Sequence, residues 1–409
     1  MHLRDQTTCK TPWVSPGKWI VSPHNYSVDI RSDWKLPKNV QIHDSTLRDG
    51  EQTPGVVFSK DEKLKVAEKL AEAGVQRIEG AMPSVSSDDV AALAAMVREI
   101  KSSEIVGFVR SRKDDLDLAI KCDVSSIVME IPATTGGIVN IWGDVERGIR
   151  KHVELVACAK DHGIKVTSFL PNATIATLEE IKRIVVPAVN EGKADHIGLP
   201  DSYGVIIPQA YTWLVRKVRE MVRVPIEVHC HDYWGNGTSN SLAGVIGGAE
   251  IIHTCVNGLG GNASLDECVM GADALLGVET GIETEKLYDL SQMVQKFSKI
   301  GWYKPFFDEL ACSQEIGLLT CHTWKAMERG EKPPIMLNLG VLGRDEKTKI
   351  VLGKKSGRRS IMLKAKELGL PAITEEKAVK LLEKVKRLSI EKMGLVTDEE
   401  FRRLCNEVT

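Results

Sequence analysis

The sequence Gln41-Ile-His-Asp-Ser-Thr-Leu-Arg-Asp-Gly-Glu-Gln52 begins as a β-strand and ends as a charged turn. The strand is predicted over Val40 to His43, and the turn holds Arg48, Asp49 and Glu51. Strand side chains alternate between two faces and pack against apolar neighbours, so this density of charge at the end of a strand is destabilising unless something binds there. The stretch therefore predicts a buried strand that leads into a site for a cation beside an anionic substrate.

An apolar run followed by a charged helical pattern recurs eight times between Val40 and Leu276. The predicted strands are Val40–His43, Arg77–Gly80, Ile105–Val109, Ser126–Ile131, Ile164–Leu170, His196–Leu199, Ile226–His231 and Glu250–Val256. Alternating strands and helices build parallel sheets, and eight units in about 250 residues match a (β/α)8 TIM barrel, an α/β fold. The alternative, an open doubly wound sheet, is disfavoured because no Gly-x-Gly-x-x-Gly motif follows the first strand. In such a barrel the active site lies at the carboxyl ends of the strands.

The chain divides into three predicted parts. Residues 1–37 form a polar, proline-containing arm, whose aromatic residues are expected to anchor it on the barrel or on a sister subunit. Residues 38–295 form the catalytic barrel. Residues 296–409 are charged and contain several helical patterns, so we expect small, mostly helical C-terminal subdomains that pack on the barrel of the same chain or of a partner subunit. The expected assembly is a homodimer.

The composition narrows the class of partner. The 409 residues include 54 Lys and Arg against 56 Asp and Glu, and no basic tract stands out, so neither nucleic acid nor an anionic membrane surface is expected. The nine cysteines show no Cys-x-x-Cys spacing, which is typical of reduced thiols in the cytoplasm. The first residues lack the apolar core of a signal peptide, and no apolar run approaches a membrane span. We therefore predict a cytoplasmic protein that acts on small molecules.

The seventh predicted strand carries two histidines, in Ile226-Glu-Val-His-Cys-His-Asp232. Residues two apart on a strand point the same way, so His229 and His231 face the barrel axis and can bind one metal ion. Asp49 reaches the same mouth from the first strand, and Asn262, in the glycine-rich turn after the eighth strand, is placed to join or support the metal shell. Such a site accepts a divalent metal ion, Mg²⁺, Mn²⁺, Co²⁺ or Zn²⁺, and leaves positions open for substrate oxygens.

Three motifs together resemble the DRE-TIM metallolyases, a superfamily of metal-dependent acyltransferases and lyases built on a barrel with an Asp-Arg-Glu signature. The motifs are His43-Asp-Ser-Thr-Leu-Arg-Asp-Gly-Glu-Gln52, the His229-Cys-His231 pair and Asn257-Gly-Leu-Gly-Gly-Asn262. Within this superfamily the chain is most similar to 2-isopropylmalate, homocitrate and citramalate synthases, because Val351-Leu-Gly-Lys-Lys-Ser-Gly-Arg358 resembles their Gly-Lys-His-Ser-Gly-Arg segment. The resemblance runs from about Val40 to Leu404.

This resemblance implies a metal-dependent Claisen condensation of an acyl-CoA, with acetyl-CoA the first choice, and a 2-oxoacid. It assigns the metal to Asp49, His229 and His231, with Asn262 at or near the same shell. It implies that Arg48 binds the 2-oxoacid and stabilises the alkoxide that develops from it, because a guanidinium is a bidentate donor suited to a carboxylate and to an oxyanion. The other implied substrate-binding residues are Gln52, Glu79, Asn172 and Ser202.

The chain departs from the synthase pattern where groups that accept a proton are expected. Asn172 stands where the synthases carry an acidic residue, and an amide cannot take a proton. The histidine-containing segment that supplies a base from the neighbouring subunit is replaced around Cys312-Ser-Gln-Glu-Ile-Gly317. A base must lie within hydrogen-bond reach of its proton. The candidate substitutes, which the sequence does not rank, are Glu315, His322, Tyr303 and His253.

Two other hypotheses stay open at this point. A lyase of the same superfamily would share the metal and the arginine but cleave a carbon–carbon bond by retro-aldol or retro-Claisen chemistry. The loop after Asn257, about three residues shorter than in the synthases, and the missing acidic residue favour it. A non-catalytic homologue that binds metal and a 2-oxoacid is the third hypothesis, and it predicts ligand binding without turnover.

Overall fold

Eight parallel strands close into a barrel. The computed structural model of the chain describes residues 11–15, 19–300, 313–328 and 349–408. The strands are β1 (Gln41–Asp44), β2 (Arg77–Ala81), β3 (Glu104–Arg110), β4 (Ser126–Glu130), β5 (Lys165–Phe169), β6 (His196–Asp201), β7 (Ile226–Cys230) and β8 (Ile251–Thr254). Each strand pairs with the next along the chain, and β8 pairs with β1 to close the ring. The predicted (β/α)8 barrel is confirmed.

Helices connect the strands and cover the outside of the barrel. They are α1 (Lys60–Glu72), α2 (Ser87–Glu99), α3 (Lys113–Lys121), α4 (Thr135–Trp142), α5 (Val145–Asp161), α6 (Leu178–Asn190), α7 (Pro208–Met221), α8 (Gly237–Gly247), α9 (Leu265–Met270) and α10 (Leu287–Ser298). Helix α1 begins with a capping box between Ser59 and Glu62, which satisfies amide groups that have no partner within the helix. Helix α4 was not predicted, because Gly136 and Gly137 in its first turn weaken the helical pattern.

The C-terminal part is helical and has an apolar cluster of its own. Its helices are α11 (Gly317–Glu328), α12 (Arg358–Glu367), α13 (Glu375–Lys392) and α14 (Asp398–Val408). The cluster includes Leu352, Ile361, Leu381 and Phe401, each almost fully buried. The division of the chain at residues 37 and 295 stays a prediction. None of the helices in the described segments is both long and apolar enough to cross a membrane.

The described part of the N-terminal arm docks on the barrel of the same chain. The Tyr26 hydroxyl donates to the carbonyl of Ala274 at 2.9 Å, and Arg31 donates to the carbonyl of Leu276 at 2.7 Å. The Arg31 guanidinium also lies 4.0 Å from the centre of the Tyr26 ring, a cation–π contact. Aromatic residues of the arm therefore serve as anchors.

An apolar layer fills the barrel below its carboxyl end. It consists of Val106, Phe108, Val128 and Phe169, which are buried together inside the ring of strands. A Cβ atom at Gly198 would lie 2.4 Å from the Phe169 ring, so only glycine at this position leaves room for that ring. Charged and polar side chains lie above this layer, at the mouth where the strands end.

Candidate active site at the carboxyl end of the barrel

The turn after β1 sends its charged side chains to two different places. Three successive amides, those of Arg48, Asp49 and Gly50, donate to the carbonyl of Ser45 at 2.8–3.1 Å and make the turn tight. Asp49 then meets His229 of β7 and His231 just after it, whereas Glu51 meets lysines outside the barrel mouth. One short segment therefore supplies both a candidate site and a structural contact.

Three ligand atoms converge at the barrel mouth. Asp49 Oδ2 lies 3.2 Å from His229 Nε2 and 3.6 Å from His231 Nε2, and the two Nε2 atoms are 3.3 Å apart. Ligands held about 2.1 Å from an ion at angles near those of an octahedron or tetrahedron lie about 3.0–3.4 Å from one another. Two of the three separations lie within this range, and the third, between Asp49 Oδ2 and His231 Nε2, is slightly longer. The structure thus brings the predicted metal ligands together at close to the spacing that a divalent metal ion requires.

The protonation of these groups also suits a metal. Burial lowers the pKa of His229 and lowers the pKa of His231 to about 4, so both rings are neutral at pH 7. Burial opposes ionisation of Asp49, but the neighbouring Arg48 guanidinium favours the carboxylate, and the pKa of Asp49 is lowered well below the usual value. Metal ions bind deprotonated ligands, so a carboxylate and two neutral imidazoles are ready for one.

A hydrogen-bonded chain beneath the cluster orients His229. His253 Nε2 lies 2.6 Å from Glu227 Oε2, and His253 Nδ1 lies 3.3 Å from His229 Nδ1. A carboxylate only accepts, so His253 Nε2 must donate, and the neutral His253 ring then accepts at Nδ1. His229 Nδ1 must therefore carry the proton, which leaves the lone pair of His229 Nε2 facing Asp49. Such partners fix the tautomer of a metal-binding histidine.

His43, Glu227 and His253 form a second group of possible metal ligands, deeper in the barrel. The separation of 2.6 Å between His253 and Glu227 is that of a hydrogen bond, and it leaves no room for an ion between the two atoms. The other Glu227 oxygen bonds Arg77 and His196. The deeper group is thus a neutralised hydrogen-bond network, and the group formed by Asp49, His229 and His231 is the better metal candidate.

Arg48 presents one free edge to the mouth. Its Nη1 donates to Asp49 Oδ1 at 2.7 Å, its Nε donates to Glu79, and its guanidinium carbon lies 4.1 Å from the centre of the Phe108 ring. Its Nη2 is buried and has no hydrogen-bond partner among the described residues. A buried donor without a partner is destabilising, so this atom is suited to an oxygen of a bound ligand.

Glu79 holds Arg48 in place. It is fully buried between Arg48 and His43, whose Nε2 lies 2.9 Å from Glu79 Oε2. Burial opposes its ionisation, but Arg48 and His43 outweigh this effect and lower the pKa of Glu79 to about 2. The ionised carboxylate is therefore occupied by protein groups, which suits orientation of Arg48 better than direct contact with a substrate.

The glycine-rich turn after β8 packs against the Asp49 turn. Asn262 Nδ2 donates to Asp49 Oδ2 at 2.9 Å, so Asn262 supports this candidate ligand oxygen. Gly260 has φ +72°, and a Cβ atom there would lie 2.7 Å from the Asp49 carbonyl oxygen. Glycine is therefore required for this approach.

Asn172 and Ser202 lie side by side at the mouth. The backbone N–H of Asn172 donates to Ser202 Oγ at 2.9 Å, which joins the loops after β5 and β6. Asn172 itself has φ 67°, in the left-handed region that asparagine tolerates better than most residues. Gln52 ends the single helical turn Gly50–Gln52 and is partly buried. The structure thus brings Asn172 and Ser202 together.

Glu315, a candidate base, lies in a buried ionic cluster instead of at the mouth. Its carboxylate accepts from the Lys355 amide at 3.0 Å and pairs with Lys355 Nζ at 3.1 Å. We call this cluster the lysine joint, and its members are Glu51, Lys63, Asp89, Glu315, Lys354 and Lys355. Lys355 Nζ also donates to the carbonyls of Glu51 and Val56, each at 2.6 Å. Glu315 therefore joins the C-terminal segment to the barrel.

The other candidate bases differ in how much the structure says of them. Tyr303 lies outside the described residues, and His322 is described only as part of the backbone of α11. His253 is enclosed below the candidate metal ligands, and burial lowers its pKa to about 4. Glu130, a carboxylate at the end of β4, was not among the predicted site residues. Its signal was a charged residue at the carboxyl end of a barrel strand, the usual place for catalytic groups.

Fold and site together define a class, a (β/α)8 barrel with a metal-type ligand cluster at its carboxyl mouth. Residues 39–294 match the family described as HMGL-like, and the chain belongs to this family. It is 33% identical over 399 residues to homocitrate synthase AksA of Methanothermobacter thermautotrophicus, which covers 96% of this chain and 98% of that protein. It is 35% identical to 2-isopropylmalate synthase of Methanocaldococcus jannaschii over 91% of this chain and 72% of that protein. The chain is thus similar to synthases of this group.

The barrel also resembles a solved lyase structure. The hydroxymethylglutaryl-CoA lyase of Pseudomonas aeruginosa matches with a TM-score of 0.59 at 18% identity, over 66% of this chain and 96% of that chain. At so low an identity the likeness supports the fold alone. The relatives that share about a third of their aligned residues with this chain are named as synthases. The comparisons therefore favour condensation over cleavage.

Proposed function

We propose that this protein catalyses a metal-dependent Claisen condensation between an acyl-CoA, acetyl-CoA in the first instance, and a 2-oxoacid. The observation that carries the proposal is the convergence of Asp49, His229 and His231 next to the free edge of Arg48. A 2-oxoacid offers adjacent carboxylate and keto oxygens, which suit a cation and a guanidinium placed side by side. The names of the relatives support the same reaction class.

The proposed roles follow from the contacts. Asp49, His229 and His231 hold the metal ion, which when bound supplies Lewis-acid polarisation of the keto group. Asn262 orients Asp49, and the Glu227–His253 pair orients His229. These supporting contacts tie the ligands to β7, β8 and the glycine-rich turn, so the ligand geometry is set before substrate binds.

Arg48 is proposed to bind the 2-oxoacid through Nη2 and to stabilise the negative charge that develops on the keto oxygen. Glu79 and the Phe108 ring fix the plane of the guanidinium, so little reorganisation is needed during the reaction. Gln52, Asn172 and Ser202 are proposed to line the rest of the substrate pocket. The new carbon–carbon bond is followed by hydrolysis of the thioester, which releases CoA with a free thiol.

Release of that thiol tests the proposal. Purified protein is mixed with acetyl-CoA, Mn²⁺ or Mg²⁺ and a panel of 2-oxoacids from pyruvate to 2-oxoglutarate, and free thiol is followed with time. We expect release that requires both a 2-oxoacid and the metal ion. No release across the panel and several acyl-CoAs would overturn the proposal, and a 2-oxoacid liberated from hydroxyacyl substrates would support a lyase in its place.

A further inference from the structure

Glu130 ends β4 on the inner side of the barrel. Its Cα is paired with Phe169 on β5, whose ring lies inside the barrel 5.4 Å from the His229 ring. Val128, two residues earlier on the same strand, belongs to the interior apolar layer. Side chains two apart on a strand share a face, so Glu130 points into the barrel one step above Val128.

The Glu130 side chain lies at the same height along the barrel axis as Arg48. The Arg48 guanidinium rests on the Phe108 ring, and Phe108 is the strand partner of Val128. Arg48 and Glu130 therefore both lie just above the same Phe108–Val128 pair. The carboxylate of Glu130 has no hydrogen bond to any residue in the described segments, although its backbone carbonyl accepts from Ser111 at 2.6 Å.

The charged groups around Glu130 act on it only from a distance. Arg48 and Arg110 favour its ionised form, while Asp115 and Asp49 disfavour it. Arg110 is itself paired with Asp115 at 2.7 Å, so it is not available as a direct partner. Burial is the largest effect and raises the pKa of Glu130 to about 7. A carboxylate in this state exchanges a proton readily near neutral pH.

Glu79 contacts Arg48, Glu130 is influenced by the charge of Arg48 from a distance, and the two carboxylates are in opposite states. Glu79 is hydrogen-bonded on both oxygens and its pKa is lowered to about 2, whereas Glu130 is unpaired and its pKa is raised. Two carboxylates whose surroundings separate their pKa values in this way commonly divide the work of a site. Glu79 orients Arg48, and Glu130 is left free to act on a ligand.

We propose that Glu130 is the general base of the condensation. In this step a C–H bond of the acyl-CoA methyl group breaks, and the proton moves to a Glu130 oxygen. The electron pair of that C–H bond forms the new bond to the keto carbon, and the π electrons of the keto group move to its oxygen, beside Arg48. The inference rests on the proposed function. Glu130 supplies the proton acceptor that Asn172 cannot be, because an amide does not accept a proton at neutral pH.

The test replaces the carboxylate with an amide of the same shape. Glu130→Gln is compared with wild type and with Glu179→Gln, which makes the same chemical change at an exposed position of α6. Free thiol release gives kcat and KM, and calorimetry gives the affinity for the 2-oxoacid in the presence of Mn²⁺. We expect kcat to fall by about 100-fold or more in Glu130→Gln, the usual contribution of a general base.

Two further readouts separate a base from a structural residue. Calorimetric affinity for the 2-oxoacid should stay within about threefold of wild type, because the base acts on the other substrate. Wild-type kcat/KM for acetyl-CoA should rise with pH through about 7, as the base loses its proton, and Glu130→Gln should lose this rise. Glu130→Asp keeps a carboxylate and should keep the rise at a lower rate.

Each remaining outcome decides against the inference in a different way. If wild type is active and Glu130→Gln keeps more than a third of its kcat, the base lies elsewhere. If only KM for the 2-oxoacid changes, Glu130 is a specificity contact. If Glu130→Gln does not fold, Glu130→Asp decides, and a folded, active Glu130→Asp whose kcat/KM no longer rises with pH would overturn the proposal. An inactive wild type would overturn the condensation itself, and this base with it.

Discussion

Asp49 and Glu51 stand two residues apart in one turn, yet their surroundings are opposite. Glu51 lies in the lysine joint, where three carboxylates and three lysines pair with one another and with backbone carbonyls. At the mouth, Asp49 shares its space with two neutral histidines and with Arg48, whose Nη2 has no partner among the described residues. Both places are buried and rich in charge. Only one of them is complete without a ligand.

Pairing, more than charge or burial, separates a structural cluster from a binding site. Burial alone would destabilise the ionised form of Glu51, but Lys354 and Lys63 outweigh it and lower its pKa. Buried ion pairs are tolerated when every partner is satisfied. A free donor edge and three converging ligand atoms are instead stabilised by what binds to them.

The largest effect is expected at the mouth. His229→Ala removes one of the three converging ligand atoms, and a bound metal contributes several kcal/mol to stabilising the charge that develops in the reaction. Turnover should fall by at least about 10³-fold in the thiol release assay. The matched control is His162→Ala, an exposed histidine that bonds only its own helix and should leave turnover unchanged. Comparable activity in the two variants would contradict the assignment.

Arg48→Lys should give the next largest effect. Lysine keeps the charge but cannot contact Asp49, Glu79 and a substrate oxygen from one rigid plane. We expect kcat to fall by about 10²–10³-fold while the fold persists, as when a single oxyanion donor is lost. Arg183→Lys, at an exposed ion pair with Glu146, serves as the control. Unchanged kcat in Arg48→Lys would show that its free edge does not act on the substrate.

A change in the lysine joint should act on stability. Lys355→Met leaves Glu315 buried without its partner and removes donors from the carbonyls of Glu51 and Val56. Removing one member of a buried ion pair typically destabilises by about 3–5 kcal/mol. Chemical denaturation should show this loss, and adding Glu315→Gln should recover part of it. A large loss of kcat in folded Lys355→Met without a loss of stability would place the joint in the reaction.

The sequence predicted the barrel well because its signal repeats. Periodicity alone predicts the eight apolar strands and the helices between them. The two-residue alternation of a strand is enough to predict that His229 and His231 face the same way. Asp49 was found because it lies in the charged turn that follows the first strand.

Other features of the site depend on register and on distant contacts. The place of Glu130 at the end of β4 was visible in the sequence, but its alignment with Phe169 and its place beside Arg48 depend on the register of β4 with β5 and on contacts distant along the chain. Glu315 looked like a free carboxylate because its partner Lys355 stands 40 residues away along the chain. The predicted homodimer, and roles for Tyr303 and His322, stay predictions.

The most direct measurement compares Mn²⁺ binding by Asp49→Asn and Glu51→Gln, two like changes in the same turn. Electron paramagnetic resonance reports free Mn²⁺, and thermal denaturation reports stability. We expect wild type to bind Mn²⁺, Asp49→Asn to lose that binding while it stays folded, and Glu51→Gln to keep the binding with a lower melting temperature. Mn²⁺ binding that survives Asp49→Asn but is lost in folded Glu51→Gln would contradict the account.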